Sequence, residues 1–312
     1  MTRRLLAVLA ILAFLLAACA PTAAAPSPTA TTAATASPSP FPATLTDFQG
    51  RSVSLAKRPE RIVSIGPSIT EFLFALGAGS RVVGDDDYSD APAEAAKLTH
   101  VGGVKVNFEQ VVALKPDLVL SVKFSDGTIE KLASAGLVVL VVDPQSASDV
   151  ARTAVLLGKA VGADGDAMAQ SIQQRVDAVR AITAKATTKP RVYHEVDASD
   201  PNKIFTVGPG SYIADLIEIA GGVNIAASAT TAYPQLSAEQ VLKADPEVIV
   251  VAASDYSAKP DQIAARSGWS AISAVKNKRF GSIEPNLINR PGPRIGEAAE
   301  AYARIVHPEL FK

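Results

Sequence analysis

The 312-residue chain contains one cysteine, three histidines, one tryptophan and two methionines, and aromatic residues make up only 5% of it. A single thiol cannot close an intramolecular disulfide. Three scattered histidines (His100, His194, His307) beside one cysteine do not supply a structural zinc site. Neither sign of charge is in excess: 30 Lys and Arg stand against 31 Asp and Glu. No basic footprint for nucleic acid results. P-loop and nucleophile-elbow motifs are missing, and Gly77-Ala78-Gly79 lacks the third glycine of a dinucleotide fingerprint. Ser273-Ala274-Val275-Lys276 stands without the companion motifs of penicillin-binding enzymes. The expectation is a protein that is not an enzyme and has no cofactor, metal site or nucleic-acid partner of its own.

What is present divides into unlike parts. Arg3 and Arg4 precede an unbroken apolar run from Leu5 to Ala18, followed at once by Cys19. That run is shorter than the roughly 20 residues a membrane-spanning helix requires. It reads as a secretory signal over residues 1–18. Leu16-Ala17-Ala18-Cys19 resembles the bacterial lipobox, so Cys19 is expected to carry lipid and anchor the mature chain to the membrane. In the segment 19–43, everything after Cys19 is Ala, Thr, Ser or Pro with one Phe and no charge. Such a tract cannot offset the entropy of ordering by burial, and a disordered tether is expected.

Folding signals begin at Leu45. Two alternating runs around Gln49-Gly50, ending at Leu55, predict a hairpin. Continuous apolar strands are then predicted at Arg61–Ile65, Leu118–Val122, Leu137–Val142, Arg191–Val196 and Val248–Val251, with helical patterns between them. Strands of this kind are buried on both faces, so the fold class is α/β with mostly parallel sheets. The segment Phe108 to Leu120 matches Ala238 to Val250 at a constant offset of 130, sharing Glu, Gln, Val and Pro. Upstream, Gly66-Pro67 answers Gly208-Pro209. Two similar Rossmann-like lobes, 44–146 and 188–312, follow from this repeat. Between them, 147–187 reads as a helix from Ala147 to Val161 and a second from about Asp166 to Ala186. In the second, Met168, Ile172, Val176 and Val179 form an apolar stripe at helical period, as expected of a rigid strut between the lobes.

The segments Arg61–Glu71, Tyr88-Ser89-Asp90-Ala91-Pro92, Val101-Gly102-Gly103, Asn107–Asp117, Gly208–Ile217, Ala220–Ile225 and Tyr233–Val241 together resemble the helical-backbone substrate-binding proteins of bacterial ABC importers. These carry cobalamin, iron–siderophore complexes or haem. The Tyr-Ser-Asp-x-Pro and Tyr-Pro-Gln-x-Ser-x-Glu segments are most similar to cobalamin-binding members. The resemblance implies a ligand cleft between the lobes at the C-terminal edges of both sheets. It implies a metal-chelate ligand, with a corrinoid ahead of a ferric siderophore and both ahead of haem. It also implies delivery by a monomer to a permease dimer.

Ligand contacts are expected from Gly66, Pro67 and Ser68, from Gly102 and Gly103, and from Gly208 and Pro209, through backbone N–H groups at helix starts. Tyr88 and Tyr233 are expected to offer aromatic faces, and Arg290 and Arg294 bidentate guanidinium groups. Asp85–Asp87 read as a solvated acidic loop, and Arg294 has a competing role as partner of Glu297 or Glu300. Glu109 and Glu239 each follow a helix-cap candidate by two residues, in Asn107-Phe108-Glu109-Gln110 and Ser237-Ala238-Glu239-Gln240, which fit capping boxes. The resemblance gives this pair the further role of docking onto the permease. Two other readings are a zinc or manganese receptor, for which the histidines are too few, and a sensor or adhesion domain.

Overall fold

The computed structural model describes residues 40–200, 203–254 and 257–311. The signal segment, Cys19 and the tether up to residue 39 lie outside the described residues. Strands β1 (Ala43–Thr46) and β2 (Ser52–Leu55) form the expected hairpin. The first lobe continues with β3 (Ile62–Ile65), α1 (Pro67–Ala75), β4 (Val82–Gly84), α2 (Phe108–Ala113), β5 (Leu118–Val122), α3 (Thr128–Ser134) and β6 (Val139–Val142). Helices α4 (Ala147–Val161) and α5 (Gly165–Thr183) lead to β7 (Arg191–Asp197), β8 (Ile204–Thr206), α6 (Tyr212–Ile219), β9 (Val223–Asn224) and β10 (Gln235–Leu236). The chain closes with α7 (Ala238–Ala244), β11 (Val248–Ala252), α8 (Pro260–Ala264), α9 (Ser273–Lys276), β12 (Phe280–Ile283), α10 (Pro285–Ile288) and α11 (Ile295–Val306).

The N-terminal sheet is wholly parallel in the order β4-β3-β5-β6. The C-terminal sheet has the order β10-β8-β7-β11-β12, with β9 also on β7. Strands β9 and β11 run parallel to β7, and β12 runs parallel to β11. Strand β8 is antiparallel to both β7 and β10, so the mostly parallel expectation holds fully only in the first lobe. The physical reason is the short link from β7 to β8, which has no room for a crossover helix.

Alternation along the strands sorts side chains into layers. Ile62, Leu118 and Leu120 in the first lobe, and Val192, Val248 and Val250 in the second, share one core with α4, α5 and α11. Their sequence neighbours Val63 and Val119 face a separate outer core, and Tyr193, Ile249 and Val251 face another. Ile172, Val176 and Val179 of α5 are buried in the shared core, and Met168 packs against it. Helix α5 packs on α4 and on α11 and α6 of the second lobe, and α4 in turn packs on β1 and α1 of the first. The 19 residues of α5 span about 28 Å at 1.5 Å per residue, and the helix ends at Thr183 rather than Ala186. There Thr183 Oγ1 donates to the Ile219 carbonyl at 2.8 Å.

Two boundaries move inward. The tether ends earlier than residue 43, because Phe41 packs on the shared core and Ala43 opens β1. Phe41 is the one aromatic side chain of that tract. Arg61 stands outside β3 and turns its guanidinium onto the Leu114 and Lys115 carbonyls. The hairpin turn closes the β6 edge: Phe48 N–H donates to the Val141 carbonyl, and Val141 N–H to the Asp47 carboxylate. Covering an edge in this way blocks strand addition.

The repeat at offset 130 is a repeat of contacts. Arg61 Nε donates to the carbonyls of Leu114 and Lys115, and Arg191 Nε to those of Ala244 and Asp245. Asp117 accepts from Arg61 N–H and Glu247 from Arg191 N–H. Lys115 and Asp245 both adopt left-handed backbone, at φ 48° and 44°, just before the shared proline. The register of β3 on β5 (Ile62 opposite Leu118) recurs in β7 on β11 (Val192 opposite Val248).

Candidate functional site

In the first lobe, the loop after β4 is built around two carboxylates that are buried rather than solvated. Asp86 accepts from Gly66 N–H at 2.7 Å, Tyr88 N–H at 2.9 Å and Ser89 Oγ at 3.0 Å. It thereby fixes the start of α1 and the aromatic loop together. Asp85 is fully buried, bonds to His100 Nδ1 at 2.8 Å, and has its carboxyl pushed up to about 6, chiefly by burial. A chain of hydroxyls, Ser64 to Thr70 to Ser89, completes this base, and Asp87 alone of the three acids is exposed.

Tyr88 rises from this base half exposed. Gly103 lets it lie down: a Cβ there would stand 2.6 Å from Tyr88 Cε2. Gly102 accepts from Asp87 N–H and bridges to Val106, so Tyr88, Gly102 and Gly103 form one cluster. Gly66 and Pro67 open α1 as expected, and Ser68 is buried in its first turn. The Gly66 N–H is consumed by Asp86 and not left for a ligand. Gly208 likewise donates to the Ala232 carbonyl at 2.8 Å, and the cap of α6 is Ser211 rather than the Gly208-Pro209 turn.

The second lobe carries a cavity of about 760 Å³ where β7 and β11 end, the edge at which open α/β sheets bind ligands. Tyr212, Tyr233, Asn289, Glu195, Asp197 and Arg266 are among its walls. Of the ligand residues expected from sequence, only Tyr233 lines it. Burial, with the charge of Asp143 from the first lobe, pushes the Tyr233 phenol above its ordinary pKa, so it stays neutral. Glu195 and Asp197 lie at the end of a strand visible in the sequence, and the strand-end rule alone points to them. Arg266 sits in no recognisable pattern, and no sequence signal reveals it.

Arg290 and Arg294 do not project freely toward a ligand. Arg290 is buried and donates to Glu71 at 3.0 Å, to Asp90 at 2.6 Å and to the Tyr88 carbonyl at 3.0 Å. Arg294 pairs with Glu71 through Nε and Nη2, not with Glu297 or Glu300. Because Glu71 and Asp90 belong to the first lobe, the two arginines clasp the lobes together. The resemblance implies ligand contact for these guanidinium groups, but it does not reveal their distant partners Glu71 and Asp90.

Glu109 and Glu239 occupy the same place in each lobe, the first turn of α2 and of α7. Both are exposed, and neither has an ion-pair partner among the described residues. Ser237 and Gln240 close a full capping box. Asn107 accepts from Gln110 N–H, but its own N–H goes to the Val101 carbonyl, so only half of that box forms.

Two α/β lobes on a helical strut, with a cavity at the sheet edges, define a two-lobed solute-binding protein. Residues 62–287 match the periplasmic binding protein family, and the chain belongs to it. It is 35% identical over 281 residues to the uncharacterized ABC transporter substrate-binding lipoprotein YvrC of Bacillus subtilis, covering 87% of this chain and 88% of that one. It is 32% identical to a cobalamin-binding protein of Halobacterium salinarum, over 86% of this chain and 74% of the relative. The crystal structure of the periplasmic vitamin B12-binding protein of Vibrio cholerae superposes with a TM-score of 0.70 at 27% identity, covering 81% of this chain and 98% of that one.

Proposed function

We propose that the chain is the extracytoplasmic receptor of an ABC importer, held to the membrane through lipid on Cys19. It captures a corrinoid, with cobalamin the favoured ligand, and delivers it to a permease dimer. The observation that carries the delivery role is the symmetric pair Glu109 and Glu239, exposed on equivalent helices and without an ion-pair partner among the described residues. A helix dipole is served by an acid anywhere in the first turn; one acid at the same position in each lobe suits a two-fold partner. Such rim charges act on encounter and orientation more than on affinity.

The corrinoid reading is supported by the names of the Halobacterium and Vibrio relatives and by Tyr88 and Tyr233, two half-exposed rings on the two lobes. A ferric siderophore is the second reading, favoured by the polar wall of Ser199, Ser254, Ser257 and Gln262. The sole Trp269 is buried and adds no stacking face. Titration calorimetry of the full-length protein in detergent tests the choice: cyanocobalamin gives heat at micromolar protein, and a ferric siderophore binding in its place reverses it. Replacing Glu109 and Glu239 together by Ala leaves that affinity intact and impairs uptake in cells; a loss of affinity would refute the docking role.

A further inference from the structure

Among the described residues, six titratable side chains line the C-lobe cavity: His194, Glu195, Asp197, Tyr212, Tyr233 and Arg266. His194 is wholly buried against the Tyr302 hydroxyl, and burial holds its pKa down to about 4, so it is neutral at pH 7. Both tyrosines are held above their ordinary pKa, chiefly by burial, and remain phenols. One cation and two carboxylates are left.

The cation is already committed. Arg266 donates through both Nη atoms to the two carboxylate oxygens of Glu195, and the Tyr193 hydroxyl donates to the same carboxylate at 2.9 Å. The guanidinium lies over the Trp269 ring, 4.7 Å from its centroid. A fork filled by one buried carboxylate opens to a ligand carboxylate only by leaving Glu195 buried and unpaired, which is strongly unfavourable. Asp197, exposed at the rim, accepts from Ser199 N–H and Oγ and has no ion-pair partner among the described residues. Of the nearby lysines, Lys123 pairs with Asp143 at 3.6 Å, while Lys259 donates to the Ser254 carbonyl, a neutral acceptor. Arg290 and Arg294 are held by Glu71, and Arg290 also by Asp90.

We propose, resting on the receptor reading above, that this cavity is a charge filter set by Glu195. It accepts a neutral or cationic metal chelate, such as a corrinoid bearing carboxamides, and rejects the same chelate bearing free carboxylates. Corrin side chains offer the amide form to Ser, Gln and Asn of the wall, which donate and accept without net charge. A carboxylate in that position faces Asp197 and a cancelled arginine.

The test holds ligand shape constant and varies charge. Calorimetry on the full-length protein in detergent compares cyanocobalamin with its mono- and dicarboxylic acid derivatives. Each carboxylate is expected to weaken binding by about tenfold at low salt, less at high salt. Glu195→Gln releases Arg266 and is expected to recover most of that loss. Asp197→Asn, at an exposed position where folding is not at stake, recovers a smaller part. Derivatives that bind as tightly as the parent to the native protein would overturn the filter while leaving the corrinoid reading in place. No corrinoid binding, with a cationic ferric hydroxamate bound instead, would overturn the corrinoid reading and keep the filter. Haemin, a dicarboxylate, binding the native protein more tightly than all of these would overturn both.

Discussion

The two lobes agree at one end of their sheets and disagree at the other. At the strand starts, Arg61 and Arg191 hold the same pair of carbonyls 130 residues apart, and the left-handed turns at Lys115 and Asp245 coincide. At the strand ends, the first lobe raises Tyr88 on a base of buried Asp85 and Asp86, whereas the second opens a cavity over Glu195 and Arg266. The shared part is scaffold, which tolerates little change because each contact closes buried backbone groups. The edges carry the candidate site and are free to diverge, so the proposed function rests on the part that symmetry does not repeat.

The largest expected effect lies in the clasp between the lobes. Arg290→Ala removes a buried guanidinium and leaves Glu71 with Arg294 alone. Breaking a buried pair from one side costs about 3–5 kcal/mol. Urea unfolding should show that loss; a loss below about 1 kcal/mol, the range of surface ion pairs, would mean the clasp contributes little to holding the lobes.

Next in size, the lobes oppose one another in pH. Asp85 is raised from 3.8 to about 6, so its stabilising contribution is present at low pH and is lost as pH climbs toward 6. His194 is lowered from 6.5 to about 4, so its contribution is present above 6.5 and is lost as pH falls toward 4. Each effect is on the order of 2–3 kcal/mol and they have opposite signs. Asp85→Asn should unmask the His194 slope, and stability should then rise steadily between pH 4 and 6.5. A variant whose urea midpoint keeps the parent's pH profile would show that Asp85 titrates normally.

The smallest effect measures how equal the scaffold is. Arg61→Ala and Arg191→Ala should each cost about 1–2 kcal/mol, since each removes charge-assisted bonds at a partly solvated site. The two values should fall within about 0.5 kcal/mol of each other, near the limit for independent sites. A wider gap in thermal or urea unfolding would show that the repeat is geometric but not energetic.

Much of this architecture was legible in the residues. Val119 and Leu120, or Ile249 and Val250, announce strands buried on both faces, and the matched Glu-Gln-Val and Pro spacing announces the second lobe. The stripe from Met168 to Val179 announces the strut, and Ser237 with Gln240 announces a cap that forms in full. The site was less legible. Tyr233 lines the cavity, but Gly66 and Gly208 spend their N–H groups on Asp86 and Ala232. Asp85 and Asp86 read as solvated because adjacent acids usually are; the His100 and Gly66 partners that keep them buried lie 15 and 20 residues away along the chain.

By itself, the sequence determined the hairpin, the principal parallel strands, the connector helices, the duplication and the family, and also the near-balance of charge and the scarcity of aromatic rings seen at the outset. Those properties follow from neighbours within a turn or a strand, where periodicity and capping act. Only the tertiary structure decided which of those balanced charges remain available. Glu71 meets Arg290 across 219 residues and Glu195 meets Arg266 across 71. An ion pair depends on distance in space, and spacing along the chain does not contain it.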